Sequence, residues 1–278
     1  MSKIQTIYEP SGKAREYSPL ALNLYKGCDH GCNYCYVPDM KHAWNADYDH
    51  GQVEPRPGII EALRKDARRF RGTDKPVLMS FTGDPYCRAD VKHQLTRKAL
   101  EILLENRIPV SILTKGGTRV LRDLDIIEKF GRHIQVGATL TFHDYHLERI
   151  YEPGASDYMD RLRMLYKLHG QGIRTWVSFE PVCIPKQSLA LMEFAAPVID
   201  FYKVGKLNHG DYGFLPVDWR EFTKQAVDML RAEKKPFYIK KSLQAHCLHG
   251  LLRPEETDPD RFCAPAWPKE NIVDGGGQ

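Results

Sequence analysis

The sequence has no apolar run approaching the length of a membrane-spanning helix, which is about 18 residues. Residues 1–20 also lack the apolar core of a secretory signal peptide. Of the 278 residues, 42% are hydrophobic and 27% are charged, which is the composition of a globular protein with a substantial core. We therefore expect a cytoplasmic protein that has no membrane partner.

The chain also lacks a large excess of charge of either sign. Its net charge is +4 and its pI is about 8.6, which is compatible with a polyanionic partner but falls short of a dedicated nucleic-acid binder. Basic residues cluster locally at 64–71 and 238–246. The first cluster is typical of a solvated helix face, whereas the second follows a short β-like run and could face a site.

The cysteine pattern argues against a disulfide framework, because the number of cysteines is odd, seven, and they are unevenly spread in a sequence without a recognisable export signal. Three of them, Cys28, Cys32 and Cys35, lie in the stretch GCDHGCNYCY. Thiolates at this spacing can hold three corners of an iron-sulfur cubane and leave the fourth iron open. Structural zinc is the alternative, although the second close pair of a CxxC…CxxC site is missing. Cys183, Cys247 and Cys263 have no ligand spacing and are interpreted as structural.

Seven short apolar runs alternate with segments of helical periodicity, which predicts a parallel sheet with helices outside it. The runs are residues 20–25, 76–82, 108–114, 134–140, 173–179, 199–205 and 236–240. Glycine-rich phosphate fingerprints are absent, and both an open doubly wound sheet and a complete or partial β/α barrel fit the alternation. In either architecture the carboxyl ends of the strands form the functional face. Residues 41–58 are predicted to be a loop over that face, and the tail from Arg253 onward to be partly mobile.

The cysteine spacing, with an aromatic residue before the last cysteine and a position after the first strand, resembles the radical S-adenosylmethionine (SAM) superfamily. The resemblance implies a single domain over 1–278, with a partial (β/α)6 barrel core at about 18–245 and a C-terminal extension, 246–278. It also implies a [4Fe-4S] cluster whose open iron binds SAM, and an electron donor of the reductase or flavodoxin type. Reductive cleavage of SAM would give a 5′-deoxyadenosyl radical that abstracts hydrogen from a substrate.

Within the superfamily the sequence is similar to the spore photoproduct lyase family. CNYCY carries this resemblance, together with LTK after the third strand, and TGDPY after the second strand is similar to an element of many uncharacterised relatives. It implies SAM contacts from Tyr34, Thr82, Asp84, Lys115 and either Thr139 or Thr141. The plainer alternatives are loop packing for Tyr34, a turn or cap for Asp84 and solvent exposure for Lys115.

Two residues are implied in quenching the radical. Tyr36 matches the tyrosine that assists the family's hydrogen-donating cysteine. Cys87 lies on the expected strand end, but a few residues downstream of the family's cysteine. Cys87 is therefore predicted to be a hydrogen donor, a wall of the substrate pocket, or a small buried hydrophobe.

Polar residues at later strand ends are predicted to bind the substrate. Glu180 and Lys203 could hydrogen-bond a nucleobase or an amino-acid-like group, or could pair with each other across the barrel mouth. Lysines and an asparagine form a basic rim that could hold phosphates; they are Lys206, Asn208, Lys240 and Lys241. The favoured hypothesis is a radical enzyme that repairs, cleaves or rearranges a thymine-derived base in DNA. The alternatives are a radical enzyme acting on a small metabolite or peptide, and a non-catalytic zinc or redox module.

Overall fold

An eight-stranded sheet lies at the centre of the computed structural model, which describes residues 6–38, 51–207 and 213–268. The strands are β1 Ile7–Tyr8, β2 Leu20–Leu22, β3 Tyr25–Gly27, β4 Val53–Pro55, β5 Val77–Met79, β6 Val110–Thr114, β7 Ile134–Thr139, β8 Arg174–Val182, β9 Phe201–Lys206 and β10 Phe237–Ile239. The order in the main sheet is β1-β2-β5-β6-β7-β8-β9-β10. Only β1 runs antiparallel to its neighbour in this sheet.

Helices connect the successive parallel strands. The α-helices are Gly12–Arg15, Ile59–Arg69, Arg88–His93, Leu95–Glu105, Leu124–Phe130, Tyr145–Tyr151, Tyr158–Gly170, Pro185–Ala195, Trp219–Ala232 and Lys241–Gln244. Short 3-10 helices are Gly117–Asp123, Gly131–His133, Ala196–Val198 and Pro254–Glu256. In the described residues, no helix is both long enough and apolar enough to cross a membrane.

The sequence pattern explains why these elements form. All six residues of β7 are buried, as expected for a parallel strand covered on both faces. The helix Trp219–Ala232 buries Phe222, Ala226 and Leu230, which recur every four residues and therefore share one face. Its cap is Asp218, whose carboxylate accepts hydrogen bonds from the first free backbone N–H groups.

The predicted fold class, a partial β/α barrel, is confirmed. Each of the seven apolar runs contains a parallel strand, so β10 extends the sheet by one strand beyond six. Inward-facing Leu78, Trp176 and Phe201 pack together inside the barrel. Tyr17 and Phe262 join this cluster from the two terminal segments. Arg174, the first residue of β8, donates to the Cys263 carbonyl at 3.2 Å, so the C-terminal segment closes the barrel at the amino ends of its strands.

The structure differs from the predicted elements at two places. The run 20–25 divides into β2 and β3, and β3 pairs with β4, which lies in the stretch predicted to be a loop. Three backbone-paired residues at an edge need no apolar periodicity, so the pattern did not reveal them. Residues 41–50 of that predicted loop lie outside the described residues.

The C-terminal extension packs on the barrel through residue 268. The Trp267 ring stacks on His133 with centroids 3.8 Å apart, and Asp260 accepts two hydrogen bonds from Arg15 at 2.7 and 2.6 Å. The part of the tail up to residue 268 therefore has defined packing partners, whereas 269–278 lie outside the described residues, and mobility of part of the tail stays a prediction.

Candidate active site

A cavity of about 580 Å³ opens at the carboxyl ends of the barrel strands. Six of its lining residues come from six different strand ends, namely Ser80, Thr114, Thr139, Glu180, Lys206 and Lys240. This is the edge where a β/α barrel assembles its functional groups. The convergence of strand ends predicted from the sequence is therefore observed.

The cysteine trio lies in the wall of this cavity. Cys28, Cys32 and Cys35 all line it, with Cys32 buried and the other two half-buried. Burial raises the pKa of the Cys28 thiol, and the Asp84 carboxylate and the other two thiols raise it further. Burial also raises the pKa of Cys32 to about 12, although the nearby Lys115 ammonium opposes this shift. The three sulfurs are therefore close enough to influence one another.

This donor set fits a cubane cluster. Within the described ranges, no three His, Cys, Asp or Glu side chains are placed to hold a single metal ion. The thiolates of a cubane bind different irons, so they do not have to converge on one point as zinc ligands do. Three thiols that face one cavity meet that requirement, and Lys115 supplies a positive charge beside them.

The loop that carries the cysteines is held by the segment after the helix Tyr145–Tyr151. Asn33 N–H donates to the Tyr151 carbonyl at 2.9 Å, and Gly154 N–H donates to the His30 carbonyl at 2.8 Å. A Cβ atom at Gly154 would lie 2.0 Å from the Asp29 carbonyl oxygen, so only glycine permits this approach. The position of the trio therefore depends on a contact with residues more than 100 positions away.

Tyr34 has a buried hydroxyl and a ring that lines the cavity. The hydroxyl donates to Glu152 and lies 3.2 Å from the Thr141 hydroxyl. Lys115 Nζ is 5.6 Å from the Tyr34 ring centroid and 4.0 Å from Glu152 Oε1. Of the two candidate threonines, Thr139 lines the cavity, whereas Thr141 is buried and is not among the lining residues.

Glu152 and Arg161 form a buried ion pair behind Tyr34 that the sequence analysis missed. Arg161 Nη2 donates to Glu152 Oε2 at 2.5 Å, and Nη1 donates to the Thr139 carbonyl at 2.9 Å. Burial alone would raise the pKa of Glu152, but Arg161 and Lys115 lower it below its usual value. The sequence did contain one indication that Arg161 is buried. Arg161 lies four and seven residues before the buried Leu165 and Leu168, which places it on the same helix face.

Asp84 fixes the turn that follows β5. Its Oδ1 accepts from Tyr86 N–H at 2.8 Å and from the Thr114 hydroxyl at 2.6 Å, while Oδ2 accepts from Lys115 N–H at 2.7 Å. Both Asp84 and Thr82 line the cavity. The cap-like role considered for Asp84 is therefore present in the structure, and it places Lys115 at the cavity.

A second polar group lines the cavity and comes from three distant segments. Glu180 Oε2 accepts hydrogen bonds from Tyr17 Oη at 2.5 Å and from Lys240 Nζ. Lys240 Nζ also lies 4.1 Å from the Tyr17 ring centroid, within reach of a cation–π contact. Sequence reasoning missed Tyr17, which precedes the first barrel strand and has no motif around it.

Lys203 does not line the cavity, contrary to the prediction. Its ammonium is buried and donates to the carbonyl oxygens of Glu16, Tyr17 and Pro259 at 2.7, 2.9 and 3.3 Å. The ion pair considered between Glu180 and Lys203 is also wrong, because Glu180 pairs with Lys240 instead. Every second residue of β9 faces the inside of the barrel, namely Phe201, Lys203 and Gly205. Lys203 therefore lies two residues deeper along the strand than Gly205, which is at the rim.

The remaining rim residues separate into two groups. Lys206 lines the cavity and lies 3.1 Å from His246 Nε2. Lys241 is exposed at the start of a short helix and is not among the lining residues, so its prediction is corrected. Asn208 lies outside the described residues.

The two residues predicted to quench the radical have different surroundings. Tyr36 lines the cavity and donates to the Phe81 carbonyl at 3.1 Å. Cys87 is only 1% exposed, belongs to the hydrophobic core and is not among the lining residues. Its position favours the small buried hydrophobe over the hydrogen donor and the pocket wall.

Comparison with known families identifies the class of protein. The model of the Radical SAM superfamily matches residues 22–196, which is more than half of the chain. The chain therefore belongs to the radical SAM superfamily, whose members use a [4Fe-4S] cluster and SAM. The cofactors expected from the cysteine trio are those of the family.

Two relatives with similar sequences are uncharacterized proteins. An uncharacterized protein of Mycobacterium tuberculosis is 29% identical over 167 residues, which are 58% of this chain and 48% of that protein. An uncharacterized protein of Acidianus two-tailed virus is 30% identical over 193 residues, covering 66% and 62% of the two chains. This chain thus spans about half the length of its mycobacterial relatives.

Solved structures share the fold. A variant of spore photoproduct lyase with bound AdoMet and dinucleoside spore photoproduct has a TM-score of 0.61 at 15% identity, covering 80% of this chain and 76% of that one. Streptococcus suis SuiB bound to S-adenosylmethionine has a TM-score of 0.59 at 15% identity, covering 87% and 55%. At these identities the likeness shows the fold alone, and the roles implied for individual residues stay predictions.

Proposed function

We propose that the protein is a radical SAM enzyme that abstracts hydrogen from a thymine-derived base in DNA. The observation that supports this most is that the cysteine trio and the Tyr17, Glu180 and Lys240 group line one cavity. The first set can hold the cluster, and the second can hydrogen-bond a polar ring. The likeness to spore photoproduct lyase, whose structures include a dinucleoside spore photoproduct, supports the choice of a DNA base.

When bound, the cluster and SAM supply a 5′-deoxyadenosyl radical. The contribution of this chain is to hold and orient the reactants. Cys28, Cys32 and Cys35 are the proposed cluster ligands, and Lys115 is a proposed partner for the SAM carboxylate. The Tyr34 ring, fixed by its hydroxyl on Glu152, offers a flat apolar face for the adenine. Thr82, Asp84 and Thr139 are the remaining proposed SAM contacts.

Chemistry on a base within a duplex requires that the base leave the stack. The cavity must hold SAM together with the reacting group, so a single base fits this proposal better than a base pair. Lys13 and Lys206 line the same cavity and offer positive charge for the phosphates that accompany the base. Tyr36 is the proposed residue for returning hydrogen to the product.

The direct assay uses anaerobically reconstituted, reduced protein with SAM and oligonucleotides that carry thymine, modified thymines or spore photoproduct. We expect the yield of 5′-deoxyadenosine to rise with DNA and a new nucleoside to form in the digest. A yield independent of DNA, with every nucleoside unchanged, would exclude the DNA assignment. A yield that rises instead with a small metabolite or peptide would favour that substrate class.

The cofactor assignment has its own test. Cys35→Ala should lose iron, sulfide and SAM cleavage together, because two thiolates leave the cluster incompletely held. Cys247→Ala is the matched control, since Cys247 is not among the residues that line the cavity and its thiol donates to the Leu243 carbonyl at 3.5 Å. Equal iron and sulfide in the two variants would contradict the assignment, and zinc without iron would indicate the non-catalytic module.

A further inference from the structure

Glu180 and Lys240 form an ion pair that is held at the cavity wall by hydrogen bonds from neighbouring residues. Glu180 Oε2 receives the Tyr17 hydroxyl, and that hydroxyl is also 2.8 Å from Ser178 Oγ. The Tyr17 carbonyl is in turn held by buried Lys203 at 2.9 Å. The pair is therefore preorganised by residues that themselves have fixed positions.

Gly205 provides the space in which this pair lies. A Cβ atom at position 205 would come within 2.8 Å of Glu180 Oε1 and 2.9 Å of Lys240 Cδ. Neither side chain can easily move away from such a Cβ atom, because Lys240 is almost fully buried and Glu180 accepts hydrogen bonds from two donors. Gly205 thus brings the carboxylate and the ammonium side by side at the cavity wall.

The chemistry of the pair limits what it can recognise. A carboxylate accepts hydrogen bonds and an ammonium donates them, so together they present an acceptor next to a donor. A phosphate would be repelled by Glu180, and a cation by Lys240. A neutral ring with an N–H beside a C=O satisfies both groups without placing like charges together.

Thymine has such an edge, formed by N3–H and the adjacent carbonyl oxygens. We propose that Glu180 accepts from N3–H and Lys240 donates to a neighbouring carbonyl, so that this pair reads the imide edge of the base. The inference rests on the proposed function and deepens it by naming the edge that is recognised. Tyr17, Ser178, Lys203 and Gly205 are positioning residues for the pair.

The test uses two fluorescent single-stranded oligonucleotides, each with one base flanked by abasic sites. One carries thymine and the other N3-methylthymine, which lacks the donor and fills its place with a methyl group. We expect the wild-type protein with SAM to bind the methylated probe about tenfold or more weakly, as for loss of a good bidentate base contact. No variant is needed for this comparison, so misfolding cannot obscure it.

Variants then assign the discrimination to the pair. Glu180→Met and Lys240→Met should each bind thymine more weakly, and Glu180→Met, which removes the acceptor for N3–H, should also reduce the difference between the two probes. Glu128→Met and Lys167→Met are matched controls on exposed helix faces and should keep the wild-type ratio. Thermal unfolding of all four variants checks that they are folded.

The outcomes separate this inference from the proposed function. If the wild-type protein binds both probes equally while DNA still raises the 5′-deoxyadenosine yield, the edge readout is wrong and the proposed function stands. If neither probe binds and DNA has no effect on SAM cleavage, both fail. Discrimination that survives unchanged in Glu180→Met, or thymine binding unchanged in Lys240→Met, would also overturn the assignment to this pair.

Discussion

Lys203 is a buried ammonium whose partners are backbone carbonyls rather than a carboxylate. Burial lowers the pKa of this lysine to about 8, well below its usual value of 10.5. The carbonyls belong to both terminal segments, so the side chain joins the two chain ends inside the barrel. Its protonation state is therefore linked to the stability of the fold.

We expect the stability that Lys203 contributes to increase as the pH rises from about 7.5 to about 9. In this window the folded lysine loses its proton while the unfolded lysine keeps it, so unfolding takes up a proton and becomes less favourable. The gain should be about 1 kcal/mol relative to Lys203→Met. Urea unfolding at both pH values measures it, with Lys167→Met as the control. A difference between wild type and Lys203→Met that does not change with pH would contradict the expectation.

Cys87 provides a second prediction about a single side chain. Cys87 packs in the hydrophobic core and is not among the described residues that line the cavity. Cys87→Ala should therefore retain both SAM cleavage and the wild-type product. The expected cost is a modest loss of stability, about 1 kcal/mol for a small buried side chain. Product analysis by mass spectrometry decides the matter: an altered product would restore Cys87 as a hydrogen donor.

The parallel strands were predictable because each is a short apolar run, and those runs all form strands. The depth of an inward-facing residue was not predictable from the same pattern. The alternation along β9 places Lys203 and Gly205 on the same face of the strand. Each residue of a strand advances about 3.3 Å, so these two positions lie at different depths in the barrel. Only the position of the terminal segments shows which of the two reaches the cavity. Similarly, β4 forms through backbone pairing that leaves no periodic trace.

The C-terminal segment behaves as part of the barrel, and a prediction follows from its anchor. Trp267 is half-buried, with its ring stacked on His133 and 6.5 Å from Phe130. Trp267→Ala should lower the free energy of unfolding by about 2 kcal/mol, which is less than the about 3 to 5 kcal/mol for a fully buried tryptophan. Chemical denaturation measures it, with exposed Tyr166→Ala as the comparison. An unchanged stability would mean that this segment does not hold to the barrel in solution.

Across the molecule, the two halves of the candidate site differed in how well the sequence revealed them. The cysteine trio was predictable because all three proposed ligands lie within eight consecutive positions. The group of Tyr17, Glu180 and Lys240 was only partly predictable, since its members are separated by 163 and 60 positions and meet only when the barrel closes. Glu180 and Lys240 were found from their places at strand ends, whereas Tyr17 and the Glu152 and Arg161 pair required the tertiary structure.

The decisive measurement is the transfer of deuterium from a thymine base into 5′-deoxyadenosine. Oligonucleotides with a thymine deuterated at the methyl group and at C6 are incubated with reduced protein and SAM, and the nucleoside is analysed by mass spectrometry. We predict 5′-deoxyadenosine that has gained deuterium from the base. Unlabelled 5′-deoxyadenosine, formed at the same rate with and without the DNA, would contradict the proposed function.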